Sequence, residues 1–161
     1  MPNFQCIPIP TEAAERFRRT GIDDNGNALR TMEATDEGGF PCRHCLSFAK
    51  AGEAMLLGSY NLPRPRGIYW TPSPIFIHAE ACPRFSADDI LAPIIGQGAL
   101  LSIRAYDNAD QCIYELGQVC AGSDVDAPLD RALSDSRTAF VNVHTARPGC
   151  MLSRVERRSE G

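Results

Sequence analysis

LLSIRAYDNADQCIYELGQV, residues 100–119, is the most informative stretch of the chain. Leu101, Ile103 and Ala105 alternate with Ser102, Arg104 and Tyr106, the two-residue period of a strand with one apolar and one polar face. Residues 113–119 repeat that β-rich composition, and Asp107-Asn108-Ala109-Asp110 between them is turn chemistry at hairpin length. The stretch is predicted to be an antiparallel hairpin. On either side of it, residues 55–60, 75–80, 140–145 and 151–157 are short runs rich in β-branched, aromatic and aliphatic residues.

Three helices are expected among these strands. Thr11 stands as N-cap before Ala13, Ala14 and Phe17, with Gly21 as the stop. Ser86 precedes residues 87–91, and Ser123 precedes Val125, Leu129, Ala132 and Leu133 at helical spacing. Strands that mostly follow one another without an intervening helix pair antiparallel, which makes the expected class α+β, a mainly antiparallel sheet of about six strands with about three helices. The chain of 161 residues is read as one domain, with no repeat or linker. Residues 62–74 carry Pro63, Pro65, Pro72 and Pro74 and are expected to form an irregular, functional loop. Asp23-Asp24-Asn25-Gly26-Asn27 reads as a turn; as a calcium loop it fails at Ala28 and Ala34, where glycine and glutamate are needed.

Composition narrows the function. Hydrophobic residues at 43% and charged residues at 22% exclude disordered and fibrous classes, and the net charge of −4 argues against a nucleic-acid partner. The opening MPNFQCIPIP lacks the charged and apolar regions of a secretory signal, and no window is apolar enough to cross a membrane, so a cytoplasmic protein without a membrane partner is expected. The seven cysteines are then expected as thiols.

Alternation places the chemistry. On residues 75–82 it puts Ile75, Ile77 and Ala79 on one face and Phe76, His78, Glu80 and Cys82 on the other. Arg104 and Tyr106 share the polar face of their strand, and Asn142 and His144 share one on theirs. If the three strands are neighbours, these groups gather into a site for a small polar or anionic molecule, with Cys42, His78 and His144 as candidate catalytic groups. Arg43, Glu80, Arg104, Tyr106 and Asn142 are its candidate ligand-binding groups. The plainer alternative is a solvated sheet face on a structural or protein-interaction module with buried cysteines.

Cys42-Arg43-His44-Cys45, with His78 and Cys82 further along, also has the elements of a zinc site. A regular strand would hold His78 and Cys82 about 13 Å apart, so a metal requires a bend before Pro83, and none is expected. The sequence names no cofactor and no oligomeric state. In Arg147-Pro148-Gly149-Cys150 the glycine is expected to allow a close backbone approach.

The blocks FPCRHCL (40–46), GEAMLLGSY (52–60), PIFIHAEACPR (74–84), LSIRAYD (101–107) and VNVHTARPGC (141–150) together resemble an uncharacterised bacterial family, the domain of unknown function DUF1203. The resemblance spans nearly the whole chain and implies one domain of no assigned activity.

Overall fold

The structure, a computed structural model, describes residues 1–36 and 38–159. In chain order its elements are β1 (Phe4–Ile7), α1 (Thr11–Thr20), β2 (Arg30–Glu33), β3 (Ala54–Asn61), β4 (Pro72–His78) and α2 (Pro93–Gly96). Then come β5 (Leu101–Tyr106), β6 (Gln118–Cys120), α3 (Asp126–Ser134), β7 (Phe140–Thr145) and β8 (Met151–Arg157). The strands form two antiparallel sheets, β1-β8-β7-β5-β6 and β2-β3-β4. The class is therefore α+β, as the strand pattern predicts, but the strands are divided between two sheets.

Each sheet has its own core. Ile103, Ala105, Val141, Val143 and Val155 of the larger sheet pack with Leu129, Ala132 and Leu133 of α3 and with Ile94 and Ile95 of α2. Met55, Ile75 and Ile77 of the smaller sheet pack with Ala13, Ala14 and Phe17 of α1. Phe17 is fully buried, and a ring withdrawn from water in this way contributes about 2–3 kcal/mol. An irregularity in the β7–β8 register at Val143 and His144 lets Met151 join the smaller core while Leu152 stays in the larger.

The 100–119 hairpin forms, with Leu101 opposite Cys120 and Ile103 opposite Gln118. Its second arm is interrupted by a 3-10 turn at Tyr114–Leu116, which shortens β6 to three residues. The helix expected over 87–91 is absent. Asp89 adopts a left-handed φ of 57°, its N–H donates to Phe4 O and its carboxylate accepts the Phe4 N–H, so the backbone there pairs with β1. Thr11 is not the cap of α1; Pro10 takes that place and Thr11 opens the helix, its hydroxyl 2.9 Å from His44 Nε2.

Two further corrections concern backbone. Pro72 and Pro74 lie inside β4, opposite Asn61 and Ser59, where the sequence reading expects only loop. β4 is an edge strand, and the side facing away from β3 needs no N–H at those positions. Gly149 has nothing within 4 Å of where a Cβ would lie; its φ of +85° is what requires glycine.

Candidate metal centre

The free edge of β4 builds the site. Pro72, Pro74, Phe76 and His78 alternate with residues bonded to β3, and the second half of that edge is taken up by the hairpin around Cys42-Arg43-His44-Cys45. Phe76 O accepts the Arg43 N–H at 3.0 Å, and the His78 N–H points at Cys42 Sγ at 3.4 Å. Within the hairpin, Pro41 bridges Phe48, Cys42 N–H donates to Ser47 O at 3.0 Å and Leu46 N–H to Cys42 O at 2.9 Å. Leu46 closes this turn at φ 56°, a left-handed conformation unfavourable for a branched side chain and held here by a fully buried leucine.

β4 stops at His78, and the chain bends at Ala79 and Glu80, whose side chain is exposed. The turn brings Cys82 back, so the geometric objection to a metal at His78 and Cys82 fails. One donor atom from each of Cys42, Cys45, His78 and Cys82 lies within 4.8 Å of all the others. Cys42 Sγ to Cys82 Sγ is 3.9 Å, and Cys45 Sγ to His78 Nδ1 is 3.5 Å. Zinc–sulfur bonds of about 2.3 Å and a zinc–nitrogen bond of about 2.0 Å in a tetrahedron separate sulfurs by about 3.8 Å and sulfur from nitrogen by about 3.5 Å. These two separations match those of a tetrahedral Cys3His site, and the quartet could hold a metal ion.

A second ring of side chains orients the first. His78 Nε2 lies 3.3 Å from Glu53 Oε1, the carboxylate–histidine arrangement that aims Nδ1 at a metal. Glu53 is itself fixed by the Lys50 N–H at 2.6 Å. His44 Nδ1 is 3.2 Å from Cys82 Sγ, and Arg18 donates to the same sulfur at 3.5 Å. Burial holds His44 below its ordinary pKa, which favours the neutral ring, and a thiolate at Cys82 selects the tautomer with the proton on Nδ1.

Electrostatics also favours a cation. Hydrogen bonds from Cys45, from Cys82 and from backbone N–H groups hold the Cys42 thiol far below its usual range. The bond to Cys42 in turn drives Cys45 up, and does the same to Cys82. Without a cation the three sulfurs can share only one negative charge; a dication allows all three to be thiolates.

The remaining predicted site residues lie elsewhere. Arg104, Tyr106, Asn142 and His144 do share one face of the larger sheet, with Arg104 opposite Asn142 and Tyr106 opposite Phe140. His78 belongs to the smaller sheet and Arg104 and His144 to the larger, so the three do not project from one side of a single sheet as the alternation expects. Tyr106 stacks on Phe140 and meets Tyr69 edge-on, and Asn142 donates to Arg64 O at 3.1 Å, so the 62–74 segment covers this face. His144 is buried with Nδ1 2.9 Å from Gly149 O, and burial pushes its pKa down to about 4.

Arg43 is buried too, donating to Met151 O at 2.8 Å and Pro41 O at 2.7 Å, and burial lowers its pKa to about 10. It lines an apolar cavity of about 850 Å³ together with Phe48, Phe76, Arg147 and Cys150. The quartet also draws in residues that the alternation argument leaves out: Cys45, Glu53, His44 and Arg18. Cys45 carries a sequence signal in its C-x-x-C spacing, whereas the other three are brought in only by tertiary structure.

Comparison with known proteins places the chain in a class first. A family model described as a protein of unknown function, DUF1203, matches residues 39–157. The chain belongs to this family, and every member of the quartet falls inside the matched segment. No curated protein and no solved structure matches it.

Proposed function

We propose that this protein is a zinc-binding domain in which Cys42, Cys45, His78 and Cys82 hold one structural zinc ion. The observation that carries the reading is the gathering of four donors from three separate segments within 4.8 Å of one another, with Glu53 behind the histidine and His44 and Arg18 behind a thiolate. Four protein ligands leave no open coordination position, so the ion works by fastening the 40–48 hairpin and the 79–82 bend to the edge of β4. Three thiolates on a dication leave one net negative charge, and the buried guanidinium of Arg43 in the same turn is its counter-ion.

A second reading concerns a small-molecule ligand. The cavity of about 850 Å³ is within the range of small-molecule sites, it is walled by the turn that carries the quartet, and Arg147 supplies positive charge for a polar or anionic group. In this reading the metal positions the wall and takes no part in binding.

The test is elemental analysis of protein purified without chelator. About one zinc per chain, lost in Cys82→Ser and in Cys42→Ser, is expected; a metal-free wild-type chain that folds normally in zinc-supplemented medium overturns the reading. For the cavity, binding of small apolar acids that shifts amide resonances at Arg147 and Cys150 is the expected signal, and shifts confined to other regions oppose it.

A further inference from the structure

A smaller cavity on the other side of Met151 has chemistry that neither the metal centre nor the large cavity uses. Arg64, Arg84 and Arg154 line a space of about 170 Å³ together with Tyr60, Asn142 and the apolar 7–10 segment, and no acidic side chain among the described residues lines it. It shares no lining residue with the larger cavity.

Each cation is held in place. Arg84 donates from Nε to Ile9 O at 3.1 Å and from a terminal nitrogen to Pro8 O at 2.9 Å, and it pairs with no carboxylate among the described residues. Arg154 stands in a row across the larger sheet with Ile7 on one side and Asn142 on the other. Its Nε is buried and makes no hydrogen bond, although Glu156 lies beside it at 3.2 Å. Arg64 is clamped by Asp110 and lies over the Phe140 ring. Tyr60 is buried and its hydroxyl has no hydrogen-bond partner among the described residues; Asp24, the acid nearest in influence to it, is engaged by Arg16. Three guanidinium groups against the carboxylates of Asp110 and Glu156 leave an excess positive charge around a preformed space.

We propose that this cavity binds a phosphate group. Its volume equals that of about five or six water molecules, below the ~300 Å³ of sites that enclose a whole drug-sized ligand, so it accepts one oxyanion or the terminal group of something larger. Arginines from three separate segments, with the Tyr60 phenol on the same lining, supply more directions than the two oxygens of a carboxylate use and suit a tetrahedral oxyanion. The phosphate is either the free ion or the monoester end of a small metabolite. The proposal is independent of zinc binding.

Calorimetric titration of the protein as purified with inorganic phosphate, near neutral pH and at constant ionic strength, tests it. Saturable binding is expected, at least about tenfold weaker in Arg84→Gln and in Arg154→Gln and unchanged in Arg30→Gln, whose arginine is exposed on β2 and lines neither cavity. Acetate is expected to bind at least about tenfold more weakly than phosphate. Tighter binding of glycerol phosphate than of inorganic phosphate identifies a monoester as the ligand class, and the reverse order identifies the free ion. Should Arg84→Gln not fold, Arg84→Lys, which keeps a charge but not the fork, replaces it with the same expectation. Absence of saturable phosphate binding, or equal binding by the Arg84 and Arg154 variants and wild type, overturns the proposal while leaving zinc content, measured separately, unaffected.

Discussion

Cys82 Sγ lies 3.9 Å from Cys42 Sγ although 40 residues separate them in the chain, and the strand that would hold them apart ends at His78. That contact makes the bend after β4 part of the site. It also ties the 79–82 segment to the smaller sheet without a covalent crosslink, since all seven cysteines are free thiols.

Glu53 acts on the metal only through His78. Glu53→Gln is expected to fold normally and to bind zinc about 10- to 100-fold more weakly, because the amide still accepts a hydrogen bond but no longer raises the basicity of the imidazole. Competition with a chelator of known affinity measures this; an unchanged affinity removes Glu53 from the site.

Removal of the metal should expose a definite set of thiols. A chelator followed by an alkylating reagent is expected to raise the labelling of Cys42, Cys45 and Cys82, whereas Cys112, Cys120 and Cys150, which are half-buried but outside the quartet, label alike with and without it. Mass spectrometry of the labelled peptides reads this out, and equal labelling with and without chelator would argue against metal protection.

His144 makes stability depend on pH. Its folded pKa of about 4 lies below the 6.5 of an unhindered histidine, chiefly because burial disfavours the cation and also because Arg104 and Arg43 repel it. The unfolded chain therefore binds the proton first. The contribution is complete above about pH 6.5 and is lost as pH falls toward 4, amounting to roughly 3 kcal/mol at the acid end. Denaturant unfolding of wild type and of His144→Asn, which keeps a donor toward Gly149 O, should give curves that diverge across this window; parallel curves contradict the assignment.

Asp23 organises the turn that follows α1. Burial alone would raise its pKa, but N–H groups of Ser59, Asn27 and Asn25 outweigh it and hold the carboxylate at about 2. Gly58 lets this turn approach β3, since a Cβ there would stand 2.4 Å from Leu29 Cδ2 and 3.0 Å from Asp23 Cβ. Asp23→Ala is expected to cost about 2–3 kcal/mol by stranding several donors, and Gly58→Val about 1–3 kcal/mol by overpacking. Thermal or denaturant melts check both.

Period-two patterning made much of this fold legible. β5, β7 and β8 are found where alternating or continuous apolar runs indicate, and so are α1 and α3, whose Phe17 and Leu129 face cores. β1 and β2 carry no such signal: each is four residues long, and β2 is largely exposed. The division into two sheets was beyond reach because alternation assigns a face to His78 or Arg104 but not a neighbouring strand. The same limit applied to the metal site. The C-x-x-C pair and the later His and Cys are visible in the sequence, but whether a strand continues from His78 to Cys82 depends on what covers its edge. Here that is the hairpin that carries the other two ligands.

The most direct measurement is X-ray absorption at the zinc edge on the purified wild-type protein. A first shell of three sulfurs at about 2.3 Å and one nitrogen at about 2.0 Å is the predicted result. A shell of oxygen and nitrogen alone, or two sulfurs where three are required, would contradict the assignment of Cys42, Cys45, His78 and Cys82 as the ligands.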